Sequence, residues 1–116
     1  MESLPKNIDA IINPFQLDDV REALAEVGIT GMTVTEVKGF GRQKRVHRIV
    51  PRCGIYGCFS AQIKIELIVP DDIVDSCVDT IMHTVQTSKI GDGKIFVFDV
   101  ACVVRIRTGE QDEEAM

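Results

Sequence analysis

The stretch from residue 63 to residue 69 constrains the fold more than any other part of the chain. Its side chains alternate, with Ile63, Ile65, Leu67 and Val69 in one set and Lys64, Glu66 and Ile68 in the other. Because neighbouring side chains of a strand point to opposite faces, this pattern predicts a β-strand with one buried face. Pro70 closes the strand, and the Pro70-Asp71-Asp72 sequence opens a helix.

That helix has a clear apolar stripe and is expected to end near Thr87 or Ser88. The predicted buried positions are Ile73, Cys77, Ile81 and Val85, with Val74 and Val78 alongside. A strand and a helix also open the chain. Residues 8–12 are apolar and β-branched, Pro14 follows, and from Leu17 the apolar positions Val20, Leu24 and Val27 recur at helical spacing before Gly28.

Two further β-like runs complete the pattern, one over residues 32–40 and one over residues 94–106 with a bend near Ala101. The resulting order predicts an α+β fold of the ferredoxin-like βαββαβ type, in which two helices cover one face of an antiparallel sheet. We expect a single domain over residues 1–116. Residues 41–60 show no periodicity, which predicts a functional loop, and residues 109–116 form an acidic tail that we expect to be frayed.

Charge is distributed unevenly along the chain. The formal net charge is −5, yet seven of the 13 Lys and Arg residues lie between Glu36 and Glu66, where no acidic residue occurs. An acidic chain with few aromatic residues near its basic run argues against nucleic-acid binding. No apolar run approaches a membrane span and no secretory signal opens the chain, so we expect a cytoplasmic protein in which Cys77 and Cys102 are buried, reduced thiols.

Four stretches together carry a specific resemblance. They are Asn13-Pro14-Phe15, the run TEVKGFGRQK, the run PDDIVDSCVDTI, and KIGDGKIFVFDV leading into Arg105-Ile106-Arg107-Thr108. With them, the sequence resembles the PII signal-transduction proteins over nearly all of its length except residues 45–62 and the ends. The resemblance implies a homotrimer with a long T-loop and three clefts between subunits, each binding ATP or ADP, with Mg²⁺ as an accompanying ion and no prosthetic group or catalytic residue.

The same residues suit phosphate chemistry. Glycines at 39, 41, 91 and 93 let backbone amides approach phosphate oxygens, and nearby Lys and Arg side chains offer charge-assisted donors. By resemblance, Thr33 contacts the adenine and the backbone near Glu66 and Leu67 lines the base pocket. The predicted nucleotide-binding set is Thr33, Gly39, Phe40, Gly41, Arg42, Gln43, Glu66, Leu67, Gly91, Asp92, Gly93, Lys94, Arg105 and Arg107. A plainer alternative is a tight turn at residues 91–93 and an exposed strand face at Arg105 and Arg107.

The expected effector site departs from the family pattern. In PII proteins that respond to 2-oxoglutarate, a glutamine at the loop base and a lysine at its far end hold the ligand beside Mg-ATP. Gln43 matches the glutamine, whereas Gln62 stands in the place of the lysine. We therefore expect weak or absent 2-oxoglutarate sensing and a smaller anion, bicarbonate, as the effector in inorganic-carbon metabolism. The predicted effector set is Gly41, Gln43, Lys44, Gln62, Ile90 and Gly91.

The loop itself is basic and apolar. Ile55 stands where nitrogen-signalling PII proteins carry a tyrosine that is uridylylated, and Tyr56 is the only tyrosine. Cys53 and Cys58 are separated by residues that include two glycines, so they are candidates for a thiol/disulfide switch. Zinc bound by this pair with His47, or a reduced loop with no special role, are the alternatives.

These features predict a regulatory binding module rather than an enzyme, whose loop docks on a membrane transporter or a metabolic enzyme. A nitrogen regulator that responds to 2-oxoglutarate and controls ammonium transport or glutamine synthesis is the alternative within the family. A nucleotide hydrolase is the alternative from another class, although no convincing general base or nucleophile accompanies the phosphate motifs. A passive assembly protein would lack nucleotide affinity altogether.

Overall fold

The computed structural model describes residues 4–41, 58–87 and 93–111. Within these residues, four strands and two α-helices follow the predicted order. The elements are β1 (Lys6–Ile12), α1 (Leu17–Glu26), β2 (Thr33–Gly41), β3 (Cys58–Val69), α2 (Val74–Val85) and β4 (Lys94–Asp99). The strands form one antiparallel sheet in the order β2-β3-β1-β4. The predicted ferredoxin-like α+β fold is therefore confirmed.

One face of the sheet carries the hydrophobic core. Alternate residues of β1 and β3 point into it, and the register places Ile8 opposite Leu67, Ala10 opposite Ile65 and Ile12 opposite Ile63. All six are at most 5% exposed. Both helices contribute apolar side chains to the same cluster, which holds Val20, Leu24, Val74, Cys77, Ile81 and Val85 beside the strand residues. The apolar residues of the strands and those of the helices thus pack in one core.

Each helix begins with a short 3-10 segment, Pro14–Gln16 before α1 and Asp71–Ile73 before α2. The predicted stripe of α2 is buried at Cys77, Ile81 and Val85, while Ile73 is only partly covered. Val27 is an exception in the first helix, because α1 ends at Glu26 and leaves this side chain 41% exposed. Neither helix in the described part of the chain is long and apolar enough to cross a membrane.

The opposite face of the sheet is not covered by any element that the structure describes. It presents Phe96 and Phe98 on β4, whose rings stack with centroids 6.4 Å apart, and Ile68 on β3. These three side chains are 42–48% exposed. Between them on β1, the Oδ1 atoms of Asn7 and Asp9 are buried without a hydrogen-bond partner among the described residues. This mixed apolar and polar surface, residues 7, 9, 68, 96 and 98, is called the open face below.

An ion-pair cluster ties three elements together at one end of the sheet. Lys6 Nζ lies 2.9 Å from Asp99 Oδ1 at the end of β4 and 3.2 Å from Asp71 Oδ1 before α2. It also donates to the carbonyl of Leu4 at 3.0 Å. The hydrogen bond with Asp99 is the largest cause of the raised pKa of Lys6, and the Asp71 carboxylate adds to it while desolvation opposes both.

The last part of the chain differs from its prediction. The strand ends at Asp99 rather than continuing to residue 106, and residues 101–111 form a separate turn closed by a bridge between Val104 and Gln111. Cys102, which we expected to be buried, is exposed because it follows the end of the strand and lies outside the core. Cys77 is buried as expected, and desolvation raises the pKa of its thiol, which favours the unreactive protonated form.

Candidate functional site

Three predicted site residues lie in the half of the sheet that ends at Gly41 and Cys58, on either side of the predicted loop, and this end is called the loop end below. Gln62 on β3 lies opposite Val37 on β2, and Gly39 lies two positions further along the same face of β2. At the other side of the sheet, Lys94 begins β4 opposite Ile11. Lys94 is exposed and Gln62 is partly buried. The loop end of the sheet therefore carries a glycine and an amide on the neighbouring strands β2 and β3, and a cation on β4, which is two strands away from Gln62.

Gly93 precedes Lys94 and can only be a glycine. Its φ angle is +100°, in the left-handed region that L-residues avoid, and a β-carbon there would lie 1.8 Å from the carbonyl oxygen of Ile11. The backbone of residue 93 is consequently pressed against β1. This close approach fixes where the glycine-rich sequence ends and where Lys94 begins its strand.

The predicted adenine contacts lie elsewhere. Thr33 is directly opposite Glu66 near the start of β2, and both side chains share the face that carries Gln62. Gly39 lies six positions after Thr33 on β2, a distance of about 20 Å along an extended strand. Leu67 is 1% exposed and belongs to the core, so only its backbone is available to a ligand. The base contacts and the loop end are thus at opposite ends of β2.

The remaining predicted cations, Arg105 and Arg107, lie beyond the far end of β4. They belong to the C-terminal turn, which we define as residues 101–111. Arg105 donates its backbone N–H to the Glu110 carbonyl at 2.8 Å, and its Nη1 lies 3.8 Å from Glu110 Oε1. Thr108 Oγ1 donates to the same carboxylate at 2.7 Å. The alternative that these arginines line a strand face is wrong, since β4 has already ended.

The C-terminal turn is internally bonded yet exposes its apolar side chains. Ile106, between the two arginines, is 99% exposed and Val104 is 52% exposed. Lys94 is the first residue of β4 and Asp99 is the last. Lys94 therefore lies at one end of this strand, and Arg105 and Arg107 follow its other end. One chain therefore presents two separate groups of predicted ligand contacts.

Several predicted residues lie outside the described residues. They are Arg42, Gln43, Lys44, Cys53, Ile90, Gly91 and Asp92, together with His47 and Tyr56, and for Phe40, Gly41 and Cys58 only the strand position is described. The proposed disulfide and zinc alternatives therefore remain predictions. Among the described residues, no group of three or more metal-ligating side chains forms. His83 is exposed, and its Nδ1 lies 2.7 Å from the Asp79 carbonyl oxygen.

Two supporting residues were missed by the sequence analysis. Ile11 backs Gly93, and Gln16 contacts the end of α2, where its Nε2 donates to the Val85 carbonyl at 3.3 Å. Both act through long-range contacts, and neither belongs to a recognisable motif in this sequence. An apolar cavity of about 400 Å³ opens beside them, with Val78, Met82 and Val85 of α2 facing Ile95 and Val97 of β4. Gly93 and Lys94 also line it, so it adjoins the loop end of the sheet.

Comparison with known proteins identifies the family. The family model described as Nitrogen regulatory protein P-II matches residues 5–110. Nitrogen regulatory protein P-II 1 of Escherichia coli strain K12 is 69% identical over 111 residues, which cover 96% of this chain and 99% of the relative. A P-II protein of Pasteurella multocida is 58% identical over the same shares of both chains.

A solved structure shows the same fold. The crystal structure of Arabidopsis thaliana PII bound to citrate superposes with a TM-score of 0.81 at 38% identity, covering 98% of this chain and 94% of that chain. The family match spans residues 5–110 and so includes residues 45–62, where the sequence analysis expected a departure from the family pattern. On these grounds the chain belongs to the P-II family of nitrogen regulatory proteins, whose members are signalling proteins rather than enzymes.

Proposed function

We propose that this protein is a nitrogen-regulatory signalling protein that binds adenine nucleotide in clefts between neighbouring copies and acts on a transporter or enzyme through residues 41–60. The sequence analysis favoured bicarbonate sensing in inorganic-carbon metabolism. The comparisons do not support that expectation, because the similar proteins are nitrogen regulators and favour the alternative. The inorganic-carbon interpretation is therefore withdrawn.

The observation that carries the proposal is the separation of the predicted ligand contacts. Lys94 and Gly93 lie at one end of β4, whereas Arg105 and Arg107 follow its other end. A phosphate chain held by both groups requires that the C-terminal turn of one copy meet the loop end of another. In a closed ring of identical subunits every copy can supply both groups, one to each neighbour.

The open face supports assembly as a trimer, the state found in this family. A monomer would leave two phenylalanines and Ile68 exposed beside the buried Oδ1 atoms of Asn7 and Asp9, which have no hydrogen-bond partner among the described residues. Orphaned buried oxygens cost free energy unless a donor reaches them. Contact between open faces of three copies would cover the rings and bring side-chain or backbone donors near Asn7 and Asp9.

The chemistry of the two groups suits a nucleoside triphosphate with its Mg²⁺ ion. Backbone amides next to a positive-φ glycine, a lysine and two arginines are donors for phosphate oxygens. Thr33 and Glu66, which pair at the start of β2, provide polar atoms for the base. We assign no catalytic residue, in keeping with the regulatory family.

The second effector is proposed to be a dicarboxylate, 2-oxoglutarate, bound more weakly than in relatives with a lysine at residue 62. Gln62 is an amide on the face that also carries Lys64, whose Nζ lies 3.7 Å from Glu66 Oε1. An amide offers a neutral donor where a lysine would offer a charge-assisted one, and the difference is about tenfold to a hundredfold in affinity. The Arabidopsis relative holds citrate, also a carboxylate ligand.

Calorimetric titration with ATP and ADP tests the proposal. The wild-type protein should bind one nucleotide per chain, and Lys94→Gln and Arg107→Gln should each weaken binding by roughly tenfold or more, because each removes a charge-assisted bond. Lys38→Gln is the matched control, since this exposed lysine points to the helix side of β2. Absence of binding to the wild type, or equal affinities in all four proteins, would contradict the proposal.

A further inference from the structure

Gln16 stands out because it is the only buried polar side chain outside the sheet in the described part of the chain. It ends the 3-10 segment Pro14–Gln16, directly before α1, and is 7% exposed. Its Nε2 donates to the Val85 carbonyl at 3.3 Å, a contact between residues 69 positions apart. Its Oε1 is buried and has no partner among the described residues.

Val85 is the last residue of α2, so its carbonyl is one that the helix cannot satisfy internally. Gln16 supplies a donor to this carbonyl from a different part of the chain. The next residue, Gln86, still donates its backbone N–H to Met82 at 2.9 Å. The side chain of Gln16 therefore fixes the position at which the chain leaves α2 toward Gly93.

The same short stretch of the chain also holds the other end of this connection. Ile11 lies five residues before Gln16, and its carbonyl oxygen occupies the space that a side chain at residue 93 would need. Lys94 then pairs with Ile11 in the sheet. Residues 11–16 consequently contact both the last residue of α2 and the first described residue before β4.

We infer that Gln16 is a positioning residue for the phosphate-binding end of the sheet, acting through the Val85 carbonyl to set where Gly93 and Lys94 lie. This inference rests on the proposed nucleotide function. It adds a residue from the start of α1 to a site otherwise built from strands and connections. Through the hydrogen bond between Gln16 and Val85, the position of α1 then influences the affinity for phosphate.

Gln16→Met tests the inference with little risk to the core. Methionine keeps the unbranched length, removes the donor to Val85 and also removes the unpaired Oε1, so overall stability should change little. Gln86→Met is the matched control, because Gln86 is exposed and adjoins the same connection. Both variants are compared with the wild-type full-length protein well below their thermal midpoints.

Two readouts decide the outcome. Amide hydrogen exchange without nucleotide should accelerate at Gly93 and Lys94 in Gln16→Met but not at Ile65, and the control should match the wild type. The dissociation constant for ATP should rise roughly fivefold in Gln16→Met alone. Unchanged exchange at Gly93 and Lys94, or equal effects in the two variants, would overturn the positioning role.

The two proposals fail in different ways. If the wild type binds no adenine nucleotide, the proposed function is wrong, and the exchange experiment still decides whether Gln16 positions Gly93. If the wild type binds ATP and Gln16→Met has faster exchange but an unchanged dissociation constant, the link between Gln16 and phosphate binding is overturned while the proposed function stands.

Discussion

The two faces of the sheet are built from the same strands but differ in chemistry. On β3, Ile65 points toward the helices and is fully buried, whereas Ile68 three positions later points to the open face and is 42% exposed. On the helix-covered face, the buried side chains of β1 and β3 are all aliphatic. The open face mixes phenylalanine rings with Asn7 and Asp9, whose Oδ1 atoms have no partner among the described residues.

This difference separates what the chain needs for folding from what it needs for assembly. The helix-covered face is complete within one copy, since both helices already fill it. The open face and the C-terminal turn each present apolar side chains that the described part of the chain leaves exposed. Substitutions on the two faces should therefore affect different equilibria, namely unfolding and association.

The largest expected effect is on association. Phe96→Arg places a charge on the open face, and an unpaired charge buried between copies costs about 3–5 kcal/mol. Sedimentation velocity should show the wild type as a trimer and the variant as a monomer with an unchanged far-ultraviolet circular dichroism spectrum. Met82→Arg is the control, because Met82 is equally exposed, at 42%, but lies on α2. A trimeric Phe96→Arg protein would refute the assigned role of the open face.

Shortening a core side chain tests the role of the helix-covered face in folding. Ile65→Ala removes a fully buried side chain and should lower the free energy of unfolding by about 2–5 kcal/mol, measured by urea denaturation of a monomeric background such as Phe96→Arg. Ile68→Ala in that background should cost less than about 1 kcal/mol, because its side chain is already partly in water. Equal losses at the two positions would show that the faces do not differ as described.

A substitution at residue 62 should strengthen effector binding. Gln62→Lys should restore a charge-assisted donor and strengthen 2-oxoglutarate binding in the presence of Mg-ATP by about tenfold to a hundredfold. Titration calorimetry measures the change. Gln111→Lys, at an exposed position in the C-terminal turn, controls for added positive charge. If Gln62→Lys binds 2-oxoglutarate no better than the wild type, residue 62 does not determine effector affinity.

The smallest expected effect concerns the ion-pair cluster at Lys6. Its pKa is raised above the ordinary value of 10.5, first by the hydrogen bond to Asp99, so the charged form is favoured in the folded protein. This stabilisation is present below pH 10.5 and is lost as pH rises through the higher folded-state value. The difference in unfolding free energy between wild type and Lys6→Met should therefore shrink in alkaline solution. If the difference in unfolding free energy between wild type and Lys6→Met stays constant as the pH rises, the ion pairs of Lys6 are not its cause.

Much of the fold could be predicted from sequence because its signals are local. The alternation of apolar residues around Ile65 predicts which face of β3 is buried, and the helical spacing of Cys77 and Ile81 predicts which face of α2 is buried. The loop predicted over residues 41–60 is too long at both ends, because β2 runs to Gly41 and β3 begins at Cys58, and residues 42–57 lie outside the described part of the chain. Those signals were sufficient for element order and for the core.

The rest depended on contacts between distant residues. Residues 100–106 read as a continuing strand because they are rich in valine, yet no neighbouring strand pairs with them in the described part of the chain, and Cys102 is exposed as a result. The contact of Gln16 with Val85 joins residues 69 positions apart, and no local sequence pattern predicts it. The separation of Lys94 from Arg107 follows from β4 ending at Asp99, which composition did not indicate.

Mixing two defective variants tests the central claim, that each nucleotide site is shared between copies. Lys94→Glu should disable the loop end and Arg107→Glu the C-terminal turn, so neither variant alone binds ATP tightly. After the two are unfolded and refolded together, about a quarter of the clefts in random trimers should combine intact halves and recover wild-type affinity in calorimetry. If the mixture binds no better than either variant alone, the site lies within one chain and the account is wrong.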